Sequence, residues 1–439
     1  MGGAEDILKT IRDILVNPTP ELDGRRLVSF VQSYLSRRDE FLQMHRRFGS
    51  PQYILDQETL QKRARQFAET FRRYLPKTKF FFAVKSNNSP AVAERLLLCG
   101  YGLDVSSGVE LEQALRLKAG EIVFSGPGKT DQELAMAASN AGRVTVLIDS
   151  FAELDRLEAT ASSAKATIRA GVRLTTDEKG LWRKFGIPLS QLAAFLSRAA
   201  VCQRVNLCGL QFHTSWNLTP DRHISFISRL GKVLAELDAE ARSMISFIDM
   251  GGGFWPEQGE WLQYSGTKEG ELSRLAGDTS PRPLRHYCFP ATPLDEFARR
   301  IGEAAHEHLF SLQEFETCFE PGRWVCHEAL HFLLEVQDKK ADDLVITDAG
   351  TNLVGWERFE TDYFPVINLS RPGLVERPAY ILGALCTPHD VWGYAYFGEG
   401  IEPGDVLLIP AQGAYTFSLR QNFIKPLPPV TILPANQVE

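Results

Sequence analysis

From about residue 57 onward, short apolar or β-branched runs alternate with amphipathic helical stretches, and no other feature of the chain narrows its fold as much. The runs are KFFFAV, GLDV, EIVF, RVTVLI, TIRAGVRL, LCGLQFHT, ISFIDM and FETCF. Between them lie segments such as SPAVAERLLLCG, ELEQALRL, DQELAMAA and AELDRLEA. A helix that carries the chain back between two strands leaves those strands parallel. Eight such rounds in roughly 250 residues are what a closed (β/α)8 barrel needs. The alternation therefore predicts a TIM-like α/β barrel over residues 57–315.

The flanks read differently. Residues 1–48 look like a helical extension of two amphipathic helices, AEDILKTIRDIL and RRLVSFVQSYLSRRDEFLQMHRR, split by NPTPELDG. SPQYILD has the alternation of a short strand, so residues 49–56 are expected to join a β domain. After about residue 316, Pro- and Gly-punctuated runs (DDLVITDAG, YFPVINLS, AYILGALC, GDVLLIPA, PVTILPA) predict an antiparallel β domain over 316–439. The 48 basic and 55 acidic side chains leave a net charge of −7, which gives no sign of a nucleic-acid or anionic-membrane partner. No run of about 18 apolar residues is present, and the N-terminus lacks the basic-then-apolar pattern of a secretory signal. Seven cysteines (99, 202, 208, 288, 318, 326 and 386) are scattered without a CxxC pair. That fits a reduced, cytoplasmic protein better than a disulfide framework.

In barrel enzymes the chemistry sits in loops at the C-terminal ends of the strands. The unusual residues of this chain fall in those places. Lys85 follows the first run, Asp104 and Ser107 the second, and GPGK (126–129) the third. His213 ends the sixth, Gly251, Gly252 and Gly253 follow the seventh, and Glu320-Pro-Gly322-Arg323 follows the eighth. A lysine leaving an apolar interior is partly desolvated, which favours the nucleophilic amine that Schiff-base chemistry requires. A surface lysine opening a loop would look the same in isolation. Glycine triplets offer backbone N–H groups to an anion, and with Arg323 on the next strand they predict a phosphate site. Glu320 beside a pyridine nitrogen would keep that nitrogen protonated and the ring electron-poor. His213 faces the same mouth, placed to lie against a ring. His327-Glu328-Ala-Leu-His331 matches the HExxH zinc pattern. It runs directly from a strand end into HFLLEV, another strand pattern, so no metal site is expected there.

On these residues the sequence resembles the fold-type III pyridoxal-phosphate decarboxylases, the group holding ornithine, arginine and diaminopimelate decarboxylases. The likeness runs from SPQYILD to GAYTFSLRQNF. It implies an alanine-racemase-like architecture and pyridoxal 5'-phosphate as cofactor. FAVKSN would make Lys85 the residue of the internal aldimine. DVSSG would bring Asp104 and Ser107, HTS the ring-stacking His213, and GGGF with EPGR the phosphate loop, Glu320, Gly322 and Arg323. GAYTF would bring Tyr415 to the phosphate. LCTPHD resembles the family's Cys-x-x-x-Asp element, implying a catalytic Cys386, with Thr387, Asp390 and Asp348 facing substrate. Relatives pair head to tail with shared sites, so a homodimer is expected. The implied reaction removes the α-carboxylate of a diamino acid, basic amino acid or conjugated derivative through a quinonoid. Thr387 stands where diaminopimelate enzymes usually carry an acid, and Trp216 where the ornithine type commonly has a small serine. SGPGK with CTPxD looks most like members acting in siderophore and antibiotic biosynthesis. The alternatives are an amino-acid racemase of the same fold, which would place an arginine against the ring nitrogen, or a non-catalytic regulator, which would lack the lysine.

Overall fold

The computed structural model describes residues 2–278, 284–355 and 358–433. The chain divides into two compact units, Met1–Glu58 with Gln258–Ala291 and His327–Glu439, and Thr59–Glu257 with Thr292–Cys326. The first unit opens with helices α1 (Gly2–Val16), α2 (Gly24–Leu35) and α3 (Arg38–Phe48) and strand β1 (Gln52–Asp56). The second unit then holds β2 (Thr78–Ala83), β3 (Gly102–Val105), β4 (Ile122–Phe124), β5 (Val144–Ile148), β6 (Ile168–Leu174), β7 (Val205–Phe212) and β8 (Phe247–Asp249). After β9 (Glu260–Leu262) and β10 (Tyr287–Phe289), an antiparallel pair in the first unit, it ends with β11 (Glu316–Phe319).

β11 runs parallel to both β2 and β8, so that among the described residues eight parallel strands close a barrel. They are the eight runs picked out in the sequence. A boundary at 315 would cut off the closing strand, and the excursion through 258–291 carries no compositional break that marks it. Inside the barrel, Phe81, Val123, Leu147, Phe247 and Cys318 pack together. Gly209 on β7 makes room for this layer, since a Cβ there would lie 2.0 Å from the Phe247 ring. The turns into the helices carry their own start signals. Ser107, Thr130 and Ser150 each accept the N–H three residues on, and Thr130 with Glu133 forms a reciprocal capping box.

GPGK has a packing role. Lys129 is buried, and its ammonium donates to Gly126 O (2.7 Å), Leu147 O (2.8 Å) and Glu153 Oε1 (2.7 Å). All three donors of the ammonium are satisfied, so the lysine fastens the β4 and β5 loops to one another.

In the first unit, β1 joins β12 (Leu330–Ala341), β13 (Leu344–Thr347), β14 (Ile367–Asn368), β15 (Glu376–Leu382), β16 (Val391–Phe397), β17 (Val406–Ile409) and β18 (Val430–Leu433). Their order is β13-β15-β16-β14-β17-β12-β1-β18. The sheet is mixed rather than antiparallel, because β1–β18, β13–β15 and β14–β16 are parallel pairs. Each joins strands with other elements between them in sequence, and long connections permit the parallel sense.

The N-terminal extension has three helices instead of two, for the chain turns at Ser36 and Arg37, where Arg37 pairs with Asp56 (2.5 Å) and Glu40 (2.9 Å). α2 and α3 are core elements of the unit. Leu27, Val31, Phe41 and Met44 cluster with Ile54, Leu333, Ile367 and Leu408 of the sheet. That cover explains why all five residues of β1 are buried, where alternation had been expected. His327 lies in a single 3-10 turn and His331 in β12, so the HExxH histidines share no helical face. Among the described residues, no helix is long and apolar enough to cross a membrane.

Candidate active site

The C-terminal ends of the barrel strands bring four titratable groups together. Lys85, one residue into the short turn after β2, places its Nζ 2.7 Å from Asp104 Oδ2 at the end of β3. Asp104 is fully buried, and its other oxygen accepts the Ser125 hydroxyl at 2.7 Å. Burial pushes the Asp104 carboxyl up, helped by the charge of Glu320, while Lys85 pulls it down. Glu320, directly after β11, is 1% exposed and accepts Gln211 Nε2 at 3.2 Å. Its Oε2 lies 3.6 Å from His213 Nδ1.

His213 follows β7 and is neutral. Its Nδ1 accepts the Gly252 N–H at 3.1 Å, which puts the ring proton on Nε2, 3.3 Å from Ser215 Oγ. Burial holds its pKa well below the usual imidazole value, and the charges of Lys85 and Arg173 add to that. An uncharged ring with a fixed tautomer is suited to lie against another flat ring.

The glycine triplet departs from the expected row of outward amides. Gly251 donates to Asp249 Oδ1 (2.8 Å) and Gly252 to His213, so two of the three N–H groups point inward. Among the described residues only the Gly253 N–H of the triplet has no acceptor. Close packing explains the glycines: a Cβ at 251, 252 or 253 would lie 2.5, 2.2 or 2.1 Å from the carbonyl oxygens of Phe212, Glu320 and Thr214. Gly251 and Gly253 also have φ of +67° and +84°, a region open to glycine. Gly322 is equally tight, with Ser86 Oγ 2.7 Å from where its Cβ would be. Arg323 stands over the Trp255 ring at 4.3 Å, beside the same loop. The Ser107 hydroxyl caps the helix Gly108–Arg116, which takes up an acceptor site but leaves its proton to donate.

Two members of this cluster escaped the sequence reading. Gln211, two residues before His213 on β7, faces the same side of the strand. Asp249, the last residue of β8, is fully buried. Burial drives its carboxyl well above the usual range, and the Glu320 charge adds to it. The signal was present: each is a polar side chain inside an otherwise apolar strand run, near the end where Glu320 lies.

The remaining predicted residues belong to the first unit. Cys386 is exposed and Thr387 half-buried. Asp390 departs from its expected role. It is buried, its Oδ1 accepts the Thr351 N–H (2.6 Å) and hydroxyl (3.0 Å), and its Oδ2 accepts the Leu385 N–H (2.6 Å). With both oxygens taken, it fastens the two loops that carry Asp348 and Cys386. Asp348 accepts the Glu335 N–H at 3.0 Å and is half-buried. Tyr415 is half-buried, in a left-handed conformation (φ +57°).

With this geometry in hand, comparison with known proteins gives one consistent answer. Residues 57–327 match the family described as "Pyridoxal-dependent decarboxylase, pyridoxal binding domain". An L-glutamyl-[BtrI acyl-carrier protein] decarboxylase from Niallia circulans is 25% identical over 90% of this chain and 91% of its own. A diaminopimelate decarboxylase from Pseudomonas fluorescens is 27% identical over 86% of each. The structure of a diaminopimelate decarboxylase from M. jannaschii in co-complex with L-lysine superposes with a TM-score of 0.74 at 22% identity, covering 89% of both chains. The chain belongs to the pyridoxal-dependent decarboxylase family. It is a pyridoxal-phosphate enzyme of the carboxy-lyase class.

The residues present fit that cofactor. Glu320 and Asp249 are buried carboxyls side by side, and Asp249 Oδ2 has no hydrogen-bond partner among the described residues, a setting that a cationic donor such as a pyridinium N–H would satisfy. An amine stands within the same cluster at Lys85.

Proposed function

We propose that this enzyme removes the α-carboxylate of an amino acid whose far end carries a conjugated or polar group, with Lys85 as the covalent anchor of the cofactor. The observation that carries the reading is the buried Glu320–Asp249 pair in one barrel mouth with Lys85–Asp104 and a neutral His213. Bound there, pyridoxal phosphate would supply an electrophilic carbonyl and an electron-poor ring able to take up the electron pair left on Cα when CO2 departs. Glu320 holds the proton on the ring nitrogen, with the buried carboxyl of Asp249 beside it. An acid at 320 argues against the racemase, which needs a weaker electron sink. His213 supports one ring face without adding charge. Asp104 keeps the Lys85 amine oriented within the mouth. Arg323, the Gly253 N–H, Ser107 and Gly322 bind the phosphate.

Cys386, exposed within one copy of the chain, serves as the proton donor to the substrate's Cα and comes from the second copy of a homodimer. Cys386→Ala is expected to divert turnover into a carbonyl side product through misplaced protonation, read by mass spectrometry of the products. A clean amine product would remove the cysteine from that role. Mixing Lys85→Ala and Cys386→Ala proteins should restore part of the activity if each site draws on both copies, and none if it does not.

Thr387 in place of an acid, with the Niallia circulans relative named for a glutamyl group on a carrier protein, favours a conjugated substrate over a free diamino acid. The test is CO2 release from L-ornithine, L-lysine, L-arginine, meso-diaminopimelate and amide or ester conjugates of amino acids. Turnover of a conjugate at a kcat/KM at least ~10-fold above the free amino acids supports the reading, a margin of about 1.4 kcal/mol. Preference for a free diamino acid overturns it.

A further inference from the structure

Trp255 follows the glycine triplet and its phenylalanine, and nothing in the chemistry above uses it. Its half-exposed indole lies under the Arg323 guanidinium, 4.3 Å from Cζ to the ring centroid, and Trp216 stands 6.0 Å from the same Cζ. The two indoles are 6.1 Å apart at 36° to one another. Backbone contacts fix them as a pair: Asn217 N–H donates to Gly253 O (3.0 Å) and Trp255 N–H to Asn217 O (3.3 Å). Trp216 is 64% exposed and sits at φ +53°, a conformation rare for a bulky residue. The turn that carries His213 and the loop that carries the glycines thus combine to present an aromatic platform.

A guanidinium stacked on an aromatic face keeps its N–H groups in plane, aimed outward at an anion. Arginine otherwise samples many rotamers, and each must be given up when it binds. The need is greater in this chain because Gly251 and Gly252 turn their N–H groups inward, leaving more of an anion's charge to Arg323. We propose that Trp255, flanked by Trp216, is a positioning residue that holds the Arg323 guanidinium in the orientation that grips the cofactor phosphate. This rests on the reading of Arg323 as a phosphate ligand.

The experiment compares apoenzyme binding of pyridoxal 5'-phosphate and of pyridoxal, which lacks the phosphate. The readout is the ratio of the two dissociation constants, followed by quenching of intrinsic fluorescence or by the bound-cofactor absorbance. Trp255→Leu keeps apolar bulk and removes the π face, and is expected to narrow the ratio about 5-fold, chiefly through weaker phosphate-form binding. Trp255→Phe, which keeps an aromatic face, should stay within ~2-fold of wild type. Arg323→Ala should narrow the ratio about 100-fold, since charge-assisted hydrogen bonds to phosphate are lost outright. A large effect of Arg323→Ala with none for Trp255→Leu overturns the platform and leaves Arg323 in place. An unchanged ratio in Arg323→Ala overturns the phosphate assignment beneath it.

Discussion

Lys85→Ala purified with added pyridoxal phosphate is expected to show no lysine-linked cofactor absorbance and to lose activity by a factor on the order of 10³ or more, the scale for removing a covalent catalyst. The amine of Lys85 lies 2.7 Å from a buried carboxylate inside the barrel mouth, and no other lysine among those in the described cluster occupies such a place. Lys129, which also follows a barrel strand, is buried with its three donors taken by Gly126, Leu147 and Glu153, so it cannot substitute. The fold should survive, because Lys85 is a third exposed and lies in the short turn after β2 rather than in a barrel strand. Asp104 would then lose its cationic neighbour, and its carboxyl, already raised by burial, would rise further. Spectrophotometry and CO2 release together check the result. Persistence of the absorbance would mean that another amine carries the cofactor.

The second large effect concerns Glu320. Glu320→Ala is expected to retain the cofactor on Lys85 but to slow kcat by a factor on the order of 10²–10³, as when a preorganised charge at a reacting centre is deleted. Asp249 is a poor substitute for that charge, since its burial disfavours the ionised form. Glu320→Gln should fall almost as far, because it preserves shape and hydrogen bonding while losing the charge. The sign is therefore specific: cofactor content unchanged, turnover down, and the glutamine variant close to the alanine. A Glu320→Ala enzyme that turns over at the wild-type rate removes the electron-sink argument. Steady-state kinetics on protein of measured cofactor content decides between them.

Much of this was legible before any coordinates. Parallel strands buried on both faces write themselves as dense apolar runs, and FFFAV, GLDV and ISFIDM could be read as strands directly. The residues at their ends then fell at one mouth by topology alone. Where the sequence misled, tertiary packing was the cause. β1 looked like a half-exposed strand because nothing local reveals that α2 and α3 cover it. The helix broken at Arg37 reads as continuous, since the ion pair with Asp56 that favours the turn spans 19 residues. The glycine triplet signalled a loop, but which amides face inward depends on where Asp249 and the His213 ring lie. Asp390 fitted a motif by spacing, while its three hydrogen-bond donors come from residues whose approach only the folded loops define. Gln211 and Asp249 were visible as polar intrusions in apolar strands and were passed over because neither sits at a motif.

The assignment of the cofactor to Lys85 supports every other role described, and one measurement reaches it without depending on substrate. Enzyme loaded with pyridoxal phosphate, reduced with borohydride and digested, is predicted to carry the pyridoxyl mass on the peptide containing Lys85 and on no other. A pyridoxyl group on a different lysine, or an unmodified Lys85 peptide from fully loaded enzyme, would contradict the account.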